Sequence, residues 1–324
     1  MTAPANLGRT LIIANPTAQN GAARAVAERL QRFLSLYLHH ASFDLAWTEY
    51  ARHAISLAEN AAGYDTVLAL GGDGVIHEVA NGLMHIDRPM RPALAVVPVG
   101  SGNDFAQTLG ISDFSGQDFS RLLACERKQL DMGRALYWNE SVQAAAEPGA
   151  EYFIQTLSFG VDAAIGLGTA DLRKKVRLTG APLYTLSGLE QFGLHYRDYP
   201  ANIAFDGAPA EHVRCIIMAV QLGPTYGSGY RICPDADPTD GLLDVCYAMG
   251  PVPRALALPM FLAAKNGGHT KLKPVRMRRC TQASFDFEGA DYPIQADGER
   301  IRASRLRIEV KPAALNVWCP VQTD

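Results

Sequence analysis

The chain is 324 residues long, enough for two domains of ordinary size, each with its own core. Hydrophobic residues at 48% and charged residues at 19% exclude a largely disordered chain, and 30 Lys+Arg against 33 Asp+Glu leave a net charge of -3, without the sequence-wide basic signal of nucleic-acid binding. Six scattered cysteines (Cys125, Cys215, Cys233, Cys246, Cys280, Cys319) form no CxxC pair, which argues against a zinc ribbon or a thioredoxin-type motif and reads as buried thiols in a reducing compartment.

In chain order, residues 1–135 alternate short apolar runs with helical patterns, the signature of parallel βα units. Residues 10–14 read as a first strand, and residues 22–38 follow as a helix with Val26, Leu30, Phe33, Leu34 and Tyr37 on one face. Strands at 43–48, 66–70 and 93–97 alternate with helices at 52–62, 75–84 and 105–109. The expected unit is a doubly wound, three-layer α/β domain. From about residue 150 the pattern becomes mainly β: runs at 152–157, 202–205, 215–220, 242–247 and 305–310 are separated by Gly, Pro and Asp. Helical insertions are expected at 183–195 and 254–264, and the polar segment 139–150 reads as a loop or linker. The expected second domain is β-rich and sandwich-like. No basic start or apolar core of a signal peptide opens the chain, and the longest apolar run, 255–264, contains Pro259 and is half a membrane span, so a cytoplasmic protein is expected.

The strongest local feature is Gly71-Gly72-Asp73-Gly74, directly after the third strand and directly before a helix. Paired glycines allow a tight turn and let a phosphate approach main-chain N–H groups at a helix N-terminus. Asp73 adds a carboxylate suited to holding Mg²⁺ or accepting a proton. The bare tetrapeptide also fits a tight turn whose Asp caps the helix. Two more loops of this character, residues 15–21 and 98–105, leave the first and fourth strands, and in an open parallel sheet such loops line one crevice. A nucleotide site is the economical reading. GxxxxGK[ST] is absent, and GxGxxG is missing from the first turn, so neither a P-loop nor a dinucleotide Rossmann site is indicated.

NPTAQNG, GGDGVIHEVANGL, PVGSGNDFAQTLG, SFGVDAAIG, DPTDGLLDV and ADGE occur in the order and approximate spacing of the diacylglycerol kinase catalytic-domain family, and the chain resembles that family, its bacterial lipid kinases and its sphingosine and ceramide kinases, over nearly its whole length. The resemblance implies an ATP- and Mg²⁺-dependent kinase acting on a lipid hydroxyl, with a nucleotide domain at 1–135 rejoined by 312–324, a substrate-side domain at 136–311, and ATP between them. It places Asn15, Pro16, Thr17 and Gly21 in the first nucleotide loop and Thr48 at the nucleotide. Gly71, Gly72, Asp73, Gly74 and Glu78 lie along the triphosphate and ribose, joined by Gly100, Ser101 and Asn103. Asp73, Asp104 and Asp131 match acidic positions that organise the catalytic Mg²⁺, and Glu299 matches the general base, a role that some relatives give to the GGDG aspartate. Asp240, the carbonyl of Leu242 and Asp237 match a structural Mg²⁺ site, and Asp162 a substrate contact. Here the first loop delays its glycine to Gly21, and the third has Gly-Ser-Gly where many members have Gly-Thr.

Weaker features have plainer readings. His77 reads as a packed imidazole, because no HExxH spacing surrounds it, and Lys174, Lys175 and Arg177 fit a solvated basic face as well as a phosphate contact. The apolar stretches 183–196 and 254–264 are core or a transient, peripheral contact with a membrane surface. NAD kinases share the GGDG loop on a related two-domain fold, which makes that kinase the runner-up, although the Asn139-Glu140 match to its Asn-Glu pair is superficial and lies in a linker-like stretch; a nucleotide-binding regulator lacking turnover stands behind it. No nucleic-acid partner is expected, and oligomeric state is left open, a homodimer included.

Overall fold

The computed structural model describes residues 5–37, 42–111, 119–139, 147–173, 176, 181–227, 229–288 and 291–321. The chain forms two compact units, residues 1–130 with 313–324, and residues 131–312. The crossings fall inside long strands, β5 (Cys125–Trp138) and β15 (Arg305–Pro320), rather than in the polar segment 139–150.

The first unit is a parallel sheet in the order β2-β1-β3-β4, with β1 at Thr10–Ala14, β2 at Phe43–Trp47, β3 at Thr66–Gly71 and β4 at Ala93–Pro98. Val317 of β15 pairs in parallel with Leu94 of β4. Strands β1, β3 and β4 are buried along their whole lengths, which is why they read as unbroken apolar runs. The C-terminal return is held by Trp318, whose Nε1 donates to Thr66 Oγ1 at 3.1 Å, and by Arg91, whose Nη1 donates to the Ala314 carbonyl at 2.5 Å.

Helix α1 (Ala22–Tyr37) buries Ala23, Val26, Ala27, Leu30 and Leu34. Tyr37, expected on that face, is 60% exposed and packs on half-buried Phe33 at 4.7 Å, because the sheet side of the helix is filled by the alanine turns. Helix α3 (Asp73–Met84) is buried nearly all round, since α2 (His53–Glu59) covers its outer side. At Gly82 an added Cβ would stand 2.3 Å from the Ile55 carbonyl oxygen and 2.7 Å from Ala58 Cβ, so the glycine lets the two helix backbones touch. His77 is fully buried and Asn81 Nδ2 donates to its carbonyl at 3.0 Å, in keeping with a packed imidazole.

The second unit is antiparallel and β-rich, as expected. Its long strand β9 (Glu211–Gln221) pairs with β8 (Tyr199–Phe205) through its first half and with β7 (Thr156–Gly160) through its second. Strand β10 (Leu243–Met249) lies along its other side and carries β11 (Val275–Cys280). Outward from β8 come β12 (Gln282–Phe287) and the first part of β15; outward from β7 come β13 (Ile294–Ala296) and β14 (Glu299–Ile301). Phe153, Phe159 and Phe285 centre the core, Phe159 meeting Phe285 edge-on at 5.5 Å.

Three expectations change here. The run 152–157 is two strands, β6 (Gly149–Phe153) and β7, broken at Ile154 and Gln155. Gly149 and Ala150, read as linker, pair with Tyr137 and Leu136 of β5. A helix α5 (Val161–Arg173) follows β7, where the sequence suggested no helix, and packs on α6 (Ala181–Leu194). Helix α7 (Arg254–Ala263) matches its expected span closely. All cysteines are free thiols, five of them buried. Among the described residues no helix is long and apolar enough to cross a membrane.

Candidate active site

In the first unit, the loops after β1, β3 and β4 leave three neighbouring parallel strands at the same edge. They are tied to one another by the backbone. Val99 N donates to the Gly71 carbonyl at 2.8 Å, Asn15 N to the Leu70 carbonyl at 3.3 Å, and Gln19 Nε2 to the Gly100 carbonyl at 3.2 Å. A Cβ on Gly100 would stand 2.6 Å from Gly72 Cα, so only glycine permits this approach. At Gly21 and Gly74, by contrast, nothing stands within 4 Å of where a Cβ would be.

Each loop is also braced internally. Asn15 Oδ1 accepts from Thr17 N at 2.9 Å and Thr17 Oγ1 at 2.8 Å, which shapes the turn after Pro16. Asn103 sits at φ 56° and chelates Gly100, accepting from its N–H at 2.9 Å and donating to its carbonyl at 3.0 Å; Ser101 is left exposed between them. Thr48 follows β2, its N–H held by the Ala14 carbonyl at 2.9 Å.

Asp73 opens α3, and its Oδ1 accepts from Phe105 N at 3.3 Å, in the first turn of the next helix, α4 (Asp104–Thr108). A Cβ on Gly102 would lie 3.0 Å from Asp73 Oδ2 and 3.6 Å from Asp104 Oδ2, so the two carboxylates border the same glycine. One or two carboxylates completed by phosphate oxygens is an ordinary Mg²⁺ environment, and open glycine loops beside a helix N-terminus suit phosphates. The residues present therefore fit both Mg²⁺ and ATP. Glu78, matched to the triphosphate and ribose, is engaged elsewhere, with Oε1 accepting from Arg52 N at 3.0 Å and Oε2 from Ala54 N at 3.1 Å. It caps α2 and holds Arg52 at φ 65°, because the first turn of α2 has no capping side chain of its own.

In the second unit, Glu299 begins β14, opposite Ala296 in a tight hairpin through Asp297-Gly298. Both turn residues have positive φ, 47° and 94°, the conformation that Asp-Gly favours. Among the described residues the Glu299 carboxylate has no hydrogen-bond or ion-pair partner. Asp297 is the residue whose role the sequence did not reveal. Its carboxylate accepts from Ile154 N at 2.8 Å, Gln155 N at 3.1 Å and Thr156 N at 2.8 Å, the break between β6 and β7. The Asp-Gly pair signalled a turn, but nothing local marked what the carboxylate would hold.

The register lays that hairpin on β7, with Gln295 opposite Ser158, and β7 runs directly into α5. Gln295 Nε2 donates to Ser158 Oγ at 2.8 Å. Asp162, which could have been a turn residue, lies instead in the first turn of α5 and is 1% exposed. Tyr226 donates its hydroxyl to Oδ2, and Ser158 and the Ala163 N–H also face the carboxylate. Loss of hydration pushes its pKa up to about 6, against the opposing pull of the hydrogen bonds from Tyr226, Ser158 and the backbone.

The other acidic candidates of this unit are tied into the protein. Asp131 is buried, its N–H donating to the Pro238 carbonyl at 2.8 Å and its Oδ2 accepting from Gly241 N at 2.7 Å, and so it fastens the 237–242 loop. Asp237 Oδ1 accepts from Thr239 N at 2.9 Å and Oγ1 at 2.6 Å. Asp240 is ion-paired with Arg279, which also reaches Asp244 at 3.4 Å, and accepts from Leu242 N at 3.0 Å. The Arg279 guanidinium thus lies beside the carboxylate matched to the structural Mg²⁺ site. Among the described residues no three His, Cys, Asp or Glu side chains gather as a metal-ligand set. Lys174, Lys175, Arg177 and Glu140 lie outside the described residues.

The comparisons with known proteins agree with this architecture. The family profile described as "Diacylglycerol kinase catalytic domain" matches residues 9–135, and that described as "YegS C-terminal NAD kinase beta sandwich-like domain" matches residues 155–319. A Pseudomonas putida protein named "Probable lipid kinase YegS-like" is 30% identical over 262 residues, 80% of this chain and 79% of its own. A "Diacylglycerol kinase" of Mycobacterium tuberculosis is 28% identical over 326 residues, covering 97% of this chain and 96% of its own. A crystal structure of a Bacillus anthracis diacylglycerol kinase shares the fold with a TM-score of 0.74 over 97% of each chain at 19% identity. Yeast NADH kinase shares it more distantly, with a TM-score of 0.54 at 8% identity over 98% of this chain and 84% of its own. With a parallel-sheet unit carrying three glycine loops, a β-rich unit carrying the ADGE hairpin, and both halves matched in order, the chain belongs to the diacylglycerol kinase catalytic-domain family of lipid kinases.

Proposed function

We propose that the protein transfers the γ-phosphoryl group of ATP to the hydroxyl of a membrane lipid, diacylglycerol-like or sphingoid, in a Mg²⁺-dependent reaction. The observation that carries this reading is the edge of the parallel sheet where Gly72, Gly100 and Gly102 bring three loops into backbone contact beside the carboxylates of Asp73 and Asp104. Phosphoryl transfer asks a protein chiefly to position phosphates and offset their charge, and glycine loops with two carboxylates are suited to that. Mg²⁺, held by Asp73 and Asp104 with the phosphates, supplies charge neutralisation.

In this reading Asn15, Thr17, Gly21, Gly74, Gly100 and Ser101 line the phosphate path, and Thr48 borders the nucleotide. Glu299 takes the proton of the acceptor hydroxyl; its unpartnered carboxylate leaves it able to do so. Asp162 accepts from a head-group hydroxyl. Because the acceptor is a lipid, the protein acts at a membrane surface by transient contact.

The test is γ-labelled ATP with Mg²⁺ and a panel of diacylglycerol, phosphatidylglycerol, sphingosine, ceramide and NAD, each product extracted and resolved. Label is expected in an organic-phase product. Asp73→Asn and Glu299→Gln should each lower kcat at least about a hundredfold with the circular dichroism spectrum unchanged. Label confined to NADP would replace this reading with an NAD kinase. ATP binding without any labelled product would leave a nucleotide-binding regulator.

A further inference from the structure

The second unit carries a hollow of about 470 Å³ beside the Glu299 hairpin, lined by Arg300, the residue that follows Glu299. It lies where the end of α6 meets the segment before β8, with the turn before β13 and the side chain of Arg300 closing the other side. Its charged lining is His195, Arg197 and Arg300 against the single carboxylate of Asp291.

Among the described residues neither arginine is in an ion pair. Arg197 is held in place from two directions: its guanidinium lies over the Tyr199 ring at 4.9 Å and Nη2 donates to the Asp291 carbonyl at 3.2 Å. That leaves it pre-oriented, with further N–H donors to spare. Arg300 has no hydrogen-bond or ion-pair partner among the described residues, although Asp291 shares the hollow with it. Two permanent positive charges therefore line the hollow against one carboxylate, a balance that favours an anion there.

One wall of the hollow is apolar: Leu194, at the end of α6, lines it and is 73% exposed, and Leu186 and Leu189 are exposed farther back on the same helix. A free inorganic anion would gain nothing from those leucines. An amphiphile would place its charged group on the arginines and its chain along the helix.

We infer that this hollow binds the phosphate ester of an anionic phospholipid, with Arg197 and Arg300 on the phosphate, Asp291 accepting from a head-group hydroxyl, and α6 covering part of an acyl chain. The lipid-kinase reading supplies the membrane setting, but binding here is separable from catalysis and needs no ATP.

The experiment is equilibrium binding by calorimetry, without nucleotide and below micelle-forming concentrations. The probes are dihexanoyl phosphatidylglycerol, dihexanoylglycerol and inorganic phosphate. Phosphatidylglycerol should bind tightest, and Arg300→Gln or Arg197→Gln should weaken it about tenfold each, the loss of one charge-assisted contact, while leaving dihexanoylglycerol affinity unchanged. Exposed Arg300 has no partner to lose, so its variant tests the site rather than the fold. Equal affinity of phosphatidylglycerol and dihexanoylglycerol would overturn the inference, as would unchanged phosphatidylglycerol binding in both variants. Inorganic phosphate binding as tightly as the lipid, and equally sensitive to Arg300→Gln, would show a free-phosphate site and overturn the lipid assignment. Turnover is measured separately on dihexanoylglycerol, so failure of the kinase reading would leave the binding result standing.

Discussion

Replacing Asp162 by Asn offers a direct test of the electrostatics of the second unit. The carboxyl is fully buried, with one oxygen on Tyr226, and loss of hydration outweighs its hydrogen bonds and pushes its pKa up from 3.8 to about 6. A raised carboxyl pKa means that the folded chain holds the proton more tightly than the unfolded chain. The stability this provides is complete below about pH 4 and is lost as pH rises from there through about 6. The gap corresponds to about 3 kcal/mol. Asn keeps the shape and an acceptor for Tyr226 but cannot ionise. Its effect relative to the parent should therefore shift in favour of the variant by about 3 kcal/mol between pH 4 and pH 8. Urea unfolding of both proteins at several pH values, followed by circular dichroism, measures this shift. A difference between parent and variant that is the same at pH 4 and pH 8 would refute the reasoning, because ionisation of a desolvated Asp162 would then not be part of the stability balance.

Two further outcomes follow from close packing and from a half-buried carboxylate. Gly82→Ala puts a methyl group 2.3 Å from the Ile55 carbonyl oxygen, so the first unit should lose about 1–3 kcal/mol of stability in thermal unfolding even though Ala is the better helix former; a stabilised variant would show that α2 and α3 separate at little cost. Asp297→Ala strands the N–H groups of Ile154, Gln155 and Thr156, for a loss of about 2–4 kcal/mol, and loosens the hairpin that presents Glu299. Its kcat should fall while KM for ATP stays near the parent value, and Asp297→Asn should recover part of the stability; unchanged kcat would show that Glu299 does not depend on this anchor.

The order of the α/β unit and the positions of its glycine loops were legible in the sequence, because strands β1, β3 and β4 are buried on both faces and so are written as continuous apolar runs. The ADGE turn was legible too, since Asp-Gly has its own backbone preference. What the tertiary structure alone decided is which carboxylates are open and which are consumed. Glu78 meets Arg52 26 residues away, Asp131 meets Gly241 110 residues away, and Asp297 meets Gln155 142 residues away. The hollow of Arg197 and Arg300 likewise joins segments distant in sequence. Local pattern records the period of an element and the shape of its turns, whereas the partner of a carboxylate is chosen by strand order and helix packing across the chain. An aspartate in a motif therefore looks the same in sequence whether it borders Gly102 with a second carboxylate, as Asp73 does, or is paired with an arginine, as Asp240 is.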